Sequence, residues 1–202
     1  GARPSSVLVG IGDDTAVLRL PRPFGCPAFL PSDPKGRGWT SREYLLFASD
    51  MLIEGVHFRR GLAPRWIGWK ALACNISDIA AMGGLPKYAV VSLGLPRKTP
   101  LRFLDGIYEG LAHCARRFGV AIVGGDTVRA DRLVVSLTAL GWLRGPGNAV
   151  LRSGARVGDV LMVTGPLGDA AAGLALLEAP RPPRLAAWAR TRLVDRLRRP
   201  QP

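Results

Sequence analysis

The 202-residue chain is short of cysteine, histidine, lysine and acid, and each shortage excludes something. Cys26, Cys74 and Cys114 are odd in number, widely spaced and form no CxxC pair. With His57 and His113 as the only histidines, neither a zinc site nor a disulfide framework is expected, and a reducing cytoplasm fits best. No apolar run reaches the roughly 18 residues of a spanning helix, so no membrane segment is predicted. Acidic residues number 15 against 28 basic ones, for a net charge of +13. That excess invites a nucleic-acid reading. Against it, 24 of the cations are Arg and only 4 are Lys, and they are scattered apart from a cluster between Arg181 and Arg199. No aromatic residues alternate with them to make a stacking surface, so no nucleic-acid partner is expected. The opening "GARPSS" carries neither a methionine nor a signal-peptide pattern, and the expected N-terminus lies further upstream.

What remains is a globular composition with regular patterning. Strand-like runs rich in Val, Leu and Ile fall at 7–20, 43–52, 86–95, 120–128, 132–143 and 159–164. "PRWIGWKALACNISDIAAMGG" predicts a helix entered at Pro64 and stopped at Gly83-Gly84. "PLRFLDGIYEGLAHCARRFG" predicts a second, with Leu101, Leu104, Ile107, Tyr108 and Leu111 on one face and Gly119 closing it. The order β-β-α-β-α-β-β gives an α/β (α+β) layer, a mixed sheet with helices on one face. Residues 21–42, rich in proline and glycine, read as a loop, and 145–159 as a connector. Two further helices, 168–179 and 185–199, follow the strand at 159–164. They are too few to form a core of their own, so the chain divides at about 148/149, with 149–202 the start of an incomplete second α/β domain.

The acids that stand out form four stations. "GIGDD" holds Asp13 and Asp14; "ASDMLIEGVHF" holds Ser49, Asp50, Glu54 and His57; "NISDIAAMGG" holds Asn75, Ser77 and Asp78; "IVGGDT" holds Gly124, Gly125, Asp126 and Thr127. Singly, each has a plain reading. The first is an ordinary turn, Asp50 a cap, and "GGDT" a hairpin turn. Asp78 is different, because its helix is apolar nearly all round and an ionised carboxylate buried there needs a cation or donors. Lys70, two turns earlier, is one candidate for that cation. Taken together, the carboxylates would repel and raise one another's pKa unless they surround bound cations. Oxygen donors without His or Cys indicate a hard ion, Mg2+, whose remaining positions go to phosphate oxygens. Glycines beside the acids let the backbone approach that phosphate.

"GIGDDTAVL", "SDMLIEGVHF", "WKALACNISDIAAMGG", "IVGGDT" and "LRSGARVGDVLMVTGPLGDAAAGL" resemble, in order and spacing, the thiamine-monophosphate kinase family. That family lies in the superfamily of aminoimidazole ribonucleotide synthetase and selenophosphate synthetase. The resemblance implies a homodimer whose N-terminal domains join their sheets, with ATP bound beside them. It makes 1–148 the ATP- and Mg-binding, dimerising domain, and implies transfer of the ATP γ-phosphoryl to thiamine monophosphate. By motif match it implies Asp14, Ser49, Asp50, Asp78 and Asp126 as metal ligands, and His57 as a contact of the thiamine phosphate. Tyr108, Gly125, Asp126 and Arg152 match ATP-contacting positions. The plain alternatives are core packing for Tyr108, a solvent-exposed loop cation for Arg152, and a partly buried, satisfied histidine for His57.

The sequence departs from the family at Ala48, where a hydroxyl residue is usual, and in the length of the 21–42 loop. A later "DLSDGL"-type segment is not found before Pro202, so the chain reads as the front part of such an enzyme. No covalent nucleophile is expected, because the acceptor is itself an ionised phosphate and transfer needs charge neutralisation and alignment. The alternatives are a sister ATP-dependent synthetase and a noncatalytic nucleotide-binding dimer module.

Overall fold

A computed structural model of the chain describes residues 7–9, 14–19, 43–144 and 148–202. Asp13, Cys26 and the 21–42 loop lie outside the described residues. The elements are β1 (Val7–Val9), β2 (Ala16–Arg19), β3 (Glu43–Ile53), α1 (Pro64–Ala81), β4 (Leu85–Leu95), α2 (Leu101–Phe118), β5 (Ala121–Arg129), β6 (Val134–Arg144), α3 (Asp169–Glu178) and α4 (Ala187–Arg198).

Six strands make one sheet in the order β1-β2-β3-β6-β4-β5. Neighbours are antiparallel except β4 and β5, which run parallel with α2 as the crossover that such a pair requires. Strand alternation sorts the faces. Along β3, Leu46, Ala48 and Leu52 are buried, whereas Ser49 and Met51 are exposed. The buried face meets α1, whose Leu72 and Ile76 pack with Val91, Leu93, Val135 and Leu137 from the sheet. Each such side chain stabilises the fold by about 1.5–3 kcal/mol.

α2 lies over α1 and closes the layer with Ile107, Leu111 and Cys114. Two glycines let the helices touch backbone to backbone. A Cβ at Gly68 would stand 2.0 Å from the Ile107 carbonyl oxygen, and one at Gly110 would stand 1.9 Å from that of Arg65. α2 ends at Gly119 with φ 68°, whose amide donates to the Ala115 carbonyl. Cys74 and Cys114 are free thiols, and burial pushes Cys114 up to about 12. No helix among the described residues is long and apolar enough to cross a membrane.

One expected element is not a strand. Residues 159–164 have no strand partner among the described residues, and Val160, Leu161 and Met162 are 82%, 96% and 87% exposed. Apolar patterning alone does not hold a strand, because its backbone groups need a neighbouring ladder. The helices that follow do form. α3 and α4 pack as a hairpin at Gly173, where a Cβ would meet the Leu193 carbonyl oxygen at 2.3 Å. Leu176 and Val194 are the apolar side chains this hairpin buries. It rests against α1 through the Trp69 indole, which donates to the Pro200 carbonyl at 2.8 Å and lies under the Arg199 guanidinium.

Candidate phosphotransfer site

Three of the four acidic stations converge. Asp14 occupies the bend before β2, and the antiparallel register that sets Ala16 opposite Phe47 carries it toward the Ser49–Asp50 part of β3. Asp50 shares the sheet face of Ala48 and Leu52, the face that meets α1. Asp78 stands in the last turn of α1, half-buried rather than enclosed. Its carboxyl is raised from 3.8 to about 6, first by burial and then by the charges of Asp50 and Asp14, while Arg152 acts in the opposite sense. Arg152 forms an ion pair with Asp14. The cation of this cluster is therefore Arg152. Lys70 donates its ammonium to the His57 carbonyl at 2.9 Å and does not serve Asp78.

The donor set fits a hard cation. Asp14 and Asp78 share one arginine, and two buried oxygens beside them, Thr15 Oγ1 next to Asp14 and Asn75 Oδ1 one turn before Asp78, lack partners among the described residues. Among the described residues no three His, Cys, Asp or Glu side chains already converge tightly enough to hold a metal ion. The two observations differ in range. Charges act over several ångströms, whereas ligation of Mg2+ needs oxygens at about 2.1 Å. The acids share one field without closing on a common point.

Ser49 and Asp126 stand outside the trio. Ser49 lies on the opposite sheet face from Asp50, where its hydroxyl donates to the Leu137 carbonyl at 3.2 Å and contacts the Thr138 hydroxyl at 3.0 Å. Asp126 sits on the edge strand β5, exposed, with one carboxylate oxygen accepting the Thr127 amide at 2.7 Å. Register relates it to the trio. Asp50 is opposite Leu137, Leu137 opposite Val91, and Val91 beside Gly125, so three strand spacings of about 4.8 Å separate the two stations.

Around Asp126 lies a cleft of about 350 Å³ whose lining includes Tyr108, Gly124, Gly125 and Thr127. Tyr108 is 42% exposed, which rules out simple core packing. At Gly125, β5 presses on β4 so closely that a Cβ would stand 1.7 Å from the Val91 carbonyl oxygen. Only glycine leaves the backbone bare here. A second cleft, about 440 Å³, lies between the 55–62 turn and the α3–α4 hairpin, and His57 lines it. His57 is exposed, and its Nδ1 accepts the Ile53 amide at 3.1 Å, so the neutral ring carries its proton on Nε2.

Residues 12–143 match the family model described as AIR synthase related protein, N-terminal domain. The chain belongs to that family. This AIR-synthase-related chain is similar to the thiamine-monophosphate kinase of Bacillus subtilis (strain 168), 39% identical over an alignment that covers 98% of the chain and 55% of the relative. It is similar in structure to AaThiL complexed with AMPPCP and TMP, at 33% identity and a TM-score of 0.76, over 95% of this chain and 54% of that one. A thiamine-monophosphate kinase from Stenotrophomonas maltophilia K279a gives 36% identity and a TM-score of 0.72, over 98% and 57%. The chain spans about half the length of the curated relatives it matches.

Sequence reasoning did not foresee the second wall of the His57 cleft. Arg59 meets Leu177 and Arg198 there from more than a hundred residues away, donating to the Leu177 carbonyl at 2.9 Å. The arginine-rich pattern of α4 was the one available signal, and it carries no pairing information.

Proposed function

We propose that the chain is the front portion, in a homodimer, of a cytoplasmic Mg2+- and ATP-dependent kinase that converts thiamine monophosphate to thiamine diphosphate. The observation that carries this is the shared field of Asp14, Asp50 and Asp78, which raises Asp78, with Arg152 paired to Asp14 beside them. Similarity to thiamine-monophosphate kinases, and to AaThiL complexed with AMPPCP and TMP, supports the choice of substrates. In this reading residues 1–148 bind nucleotide and metal and form the dimer, and 149–202 begin a second domain.

Asp14, Asp50 and Asp78 would hold Mg2+, with Asp126 facing the nucleotide from the edge strand. When bound, the ion neutralises phosphate charge and lowers the repulsion between two anions. The protein's own groups do the rest. Tyr108 and the bare Gly125 backbone flank the nucleotide cleft. Arg152 is placed to leave Asp14 for a phosphate once a cation replaces it. His57 Nε2 faces the acceptor as a hydrogen-bond donor. An oxygen of the acceptor phosphate attacks the γ-phosphorus in line, the bond to the bridging oxygen breaks, and ADP leaves with those electrons. No side chain is phosphorylated.

The test is ADP formation by the chain with ATP and Mg2+, offered thiamine monophosphate, selenide or formylglycinamidine ribonucleotide. Any turnover is expected with thiamine monophosphate and with neither of the others. Turnover with either of the others assigns the chain to a sister synthetase of the same family, and Mg2+-dependent ATP binding with no turnover makes it a nucleotide-binding module.

A further inference from the structure

The cleft between the 55–62 turn and the α3–α4 hairpin is more basic than any single strand or helix suggests. Arg59, Arg60, Lys70 and Arg198 line it against one carboxylate, Glu178. Three of the four cations are engaged. Arg59 reaches the Leu177 carbonyl, Lys70 the His57 carbonyl at 2.9 Å, and Arg60 lies 3.9 Å from Glu54. These contacts fasten the turn to α1 and α3, and so build the cleft's walls. Arg198 is different. Its Nε is buried and has no acceptor among the described residues. A buried guanidinium N–H without a partner is costly, and the group best suited to satisfy it is a phosphate or carboxylate oxygen. The remaining lining is apolar, with Phe58, Leu174 and Leu197 among it, and the volume of about 440 Å³ suits a small molecule.

We propose that Arg198 is the anion-binding residue of this cleft, and that the ligand it takes is an organic phosphate with an apolar body. The phosphate meets the Arg198 guanidinium, and His57 Nε2 adds a second donor. Phe58, Leu174 and Leu197 cover the body. Identifying that ligand with the acceptor, thiamine monophosphate, rests on the function proposed above; the anion site itself does not. The last turn of α4 would then belong to substrate recognition, although it lies 120 residues beyond Asp78 in the chain.

Calorimetric titration of the 202-residue chain with thiamine monophosphate, thiamine and ribose 5-phosphate tests this, using wild type, Arg198→Gln, Arg198→Lys and His57→Ala. Thiamine monophosphate is expected to bind at least tenfold more tightly than thiamine. Arg198→Gln should remove that advantage and leave thiamine unchanged, and Arg198→Lys should keep part of it. Equal affinity of wild type and Arg198→Gln for thiamine monophosphate overturns the proposal, and a loss confined to His57→Ala does so while sparing the kinase reading. Arg198-dependent binding of ribose 5-phosphate as tight as that of thiamine monophosphate keeps the anion site and removes thiamine monophosphate as its ligand. If Arg198→Gln does not fold, Arg198→Lys decides, and wild-type affinity there counts against Arg198. A wild-type chain that binds none of the phosphates also overturns the proposal.

Discussion

Arg152 donates to a carboxylate oxygen of Asp14 across 138 residues of chain. The contact brings Arg152 onto the bend that precedes β2, and places a cation beside Asp14 that also acts on Asp78. Val150 reinforces it, its amide donating to the Met82 carbonyl at 3.2 Å beside the end of α1. Residues 150–152 are thereby held beside the acidic cluster.

Replacing Arg152 with Gln removes the cation that lowers the Asp78 pKa. The Asp78 midpoint, followed by carboxyl NMR titration in chelator, should move upward from about 6. Stability should fall by no more than about 1 kcal/mol, because the ion pair is partly solvated. An unmoved midpoint would show that Arg152 does not act on the cluster.

Asp78 also sets a pH dependence. Its raised pKa means that between about 3.8 and about 6 the folded chain holds a proton that the unfolded chain has released. Stability without metal therefore falls as pH climbs through that window, and the cost is complete above it. Asp78→Asn should stabilise the chelated chain by about 1 kcal/mol at pH 7.5, a value discounted for solvent screening, and by almost nothing at pH 3.5. Thermal unfolding at the two pH values checks the sign.

Gly125→Ala forces a methyl into the Val91 carbonyl. The β4–β5 ladder must part to admit it, at a cost of about 3 kcal/mol. Denaturant unfolding measures the loss, and nucleotide affinity should fall with it, since Gly125 lines the Tyr108 cleft. A stable variant would mean that β5 yields easily.

Much of this architecture was legible, and the exceptions share a cause. The amphipathic face of α2 is local, so Ile107 and Leu111 declared their burial from the sequence, whereas Leu101 and Tyr108, expected on the same face, are exposed. Asp14, Asp50 and Asp78 were legible as unusual acids, because a carboxylate among small apolar residues stands out. Their counter-cation was not. Lys70 was the near candidate, and Arg152 won through a tertiary fold-back that no spacing records. Strand alternation over the expected 43–52 run already separates Ser49 from Asp50, although the motif match grouped them as ligands of one metal. The run at 159–164 failed as a strand because its pairing depends on a neighbour, not on its own residues. The His57 cleft required the 55–62 turn to meet a helical hairpin more than a hundred residues away.

Metal binding by the chain tests the central claim most directly. Mn2+ titration followed by electron paramagnetic resonance should show a saturable site that Mg2+ displaces, weakened at least tenfold by Asp50→Asn and by Asp78→Asn alike. Wild-type affinity in both variants, or no saturable binding in the wild type, would contradict the account.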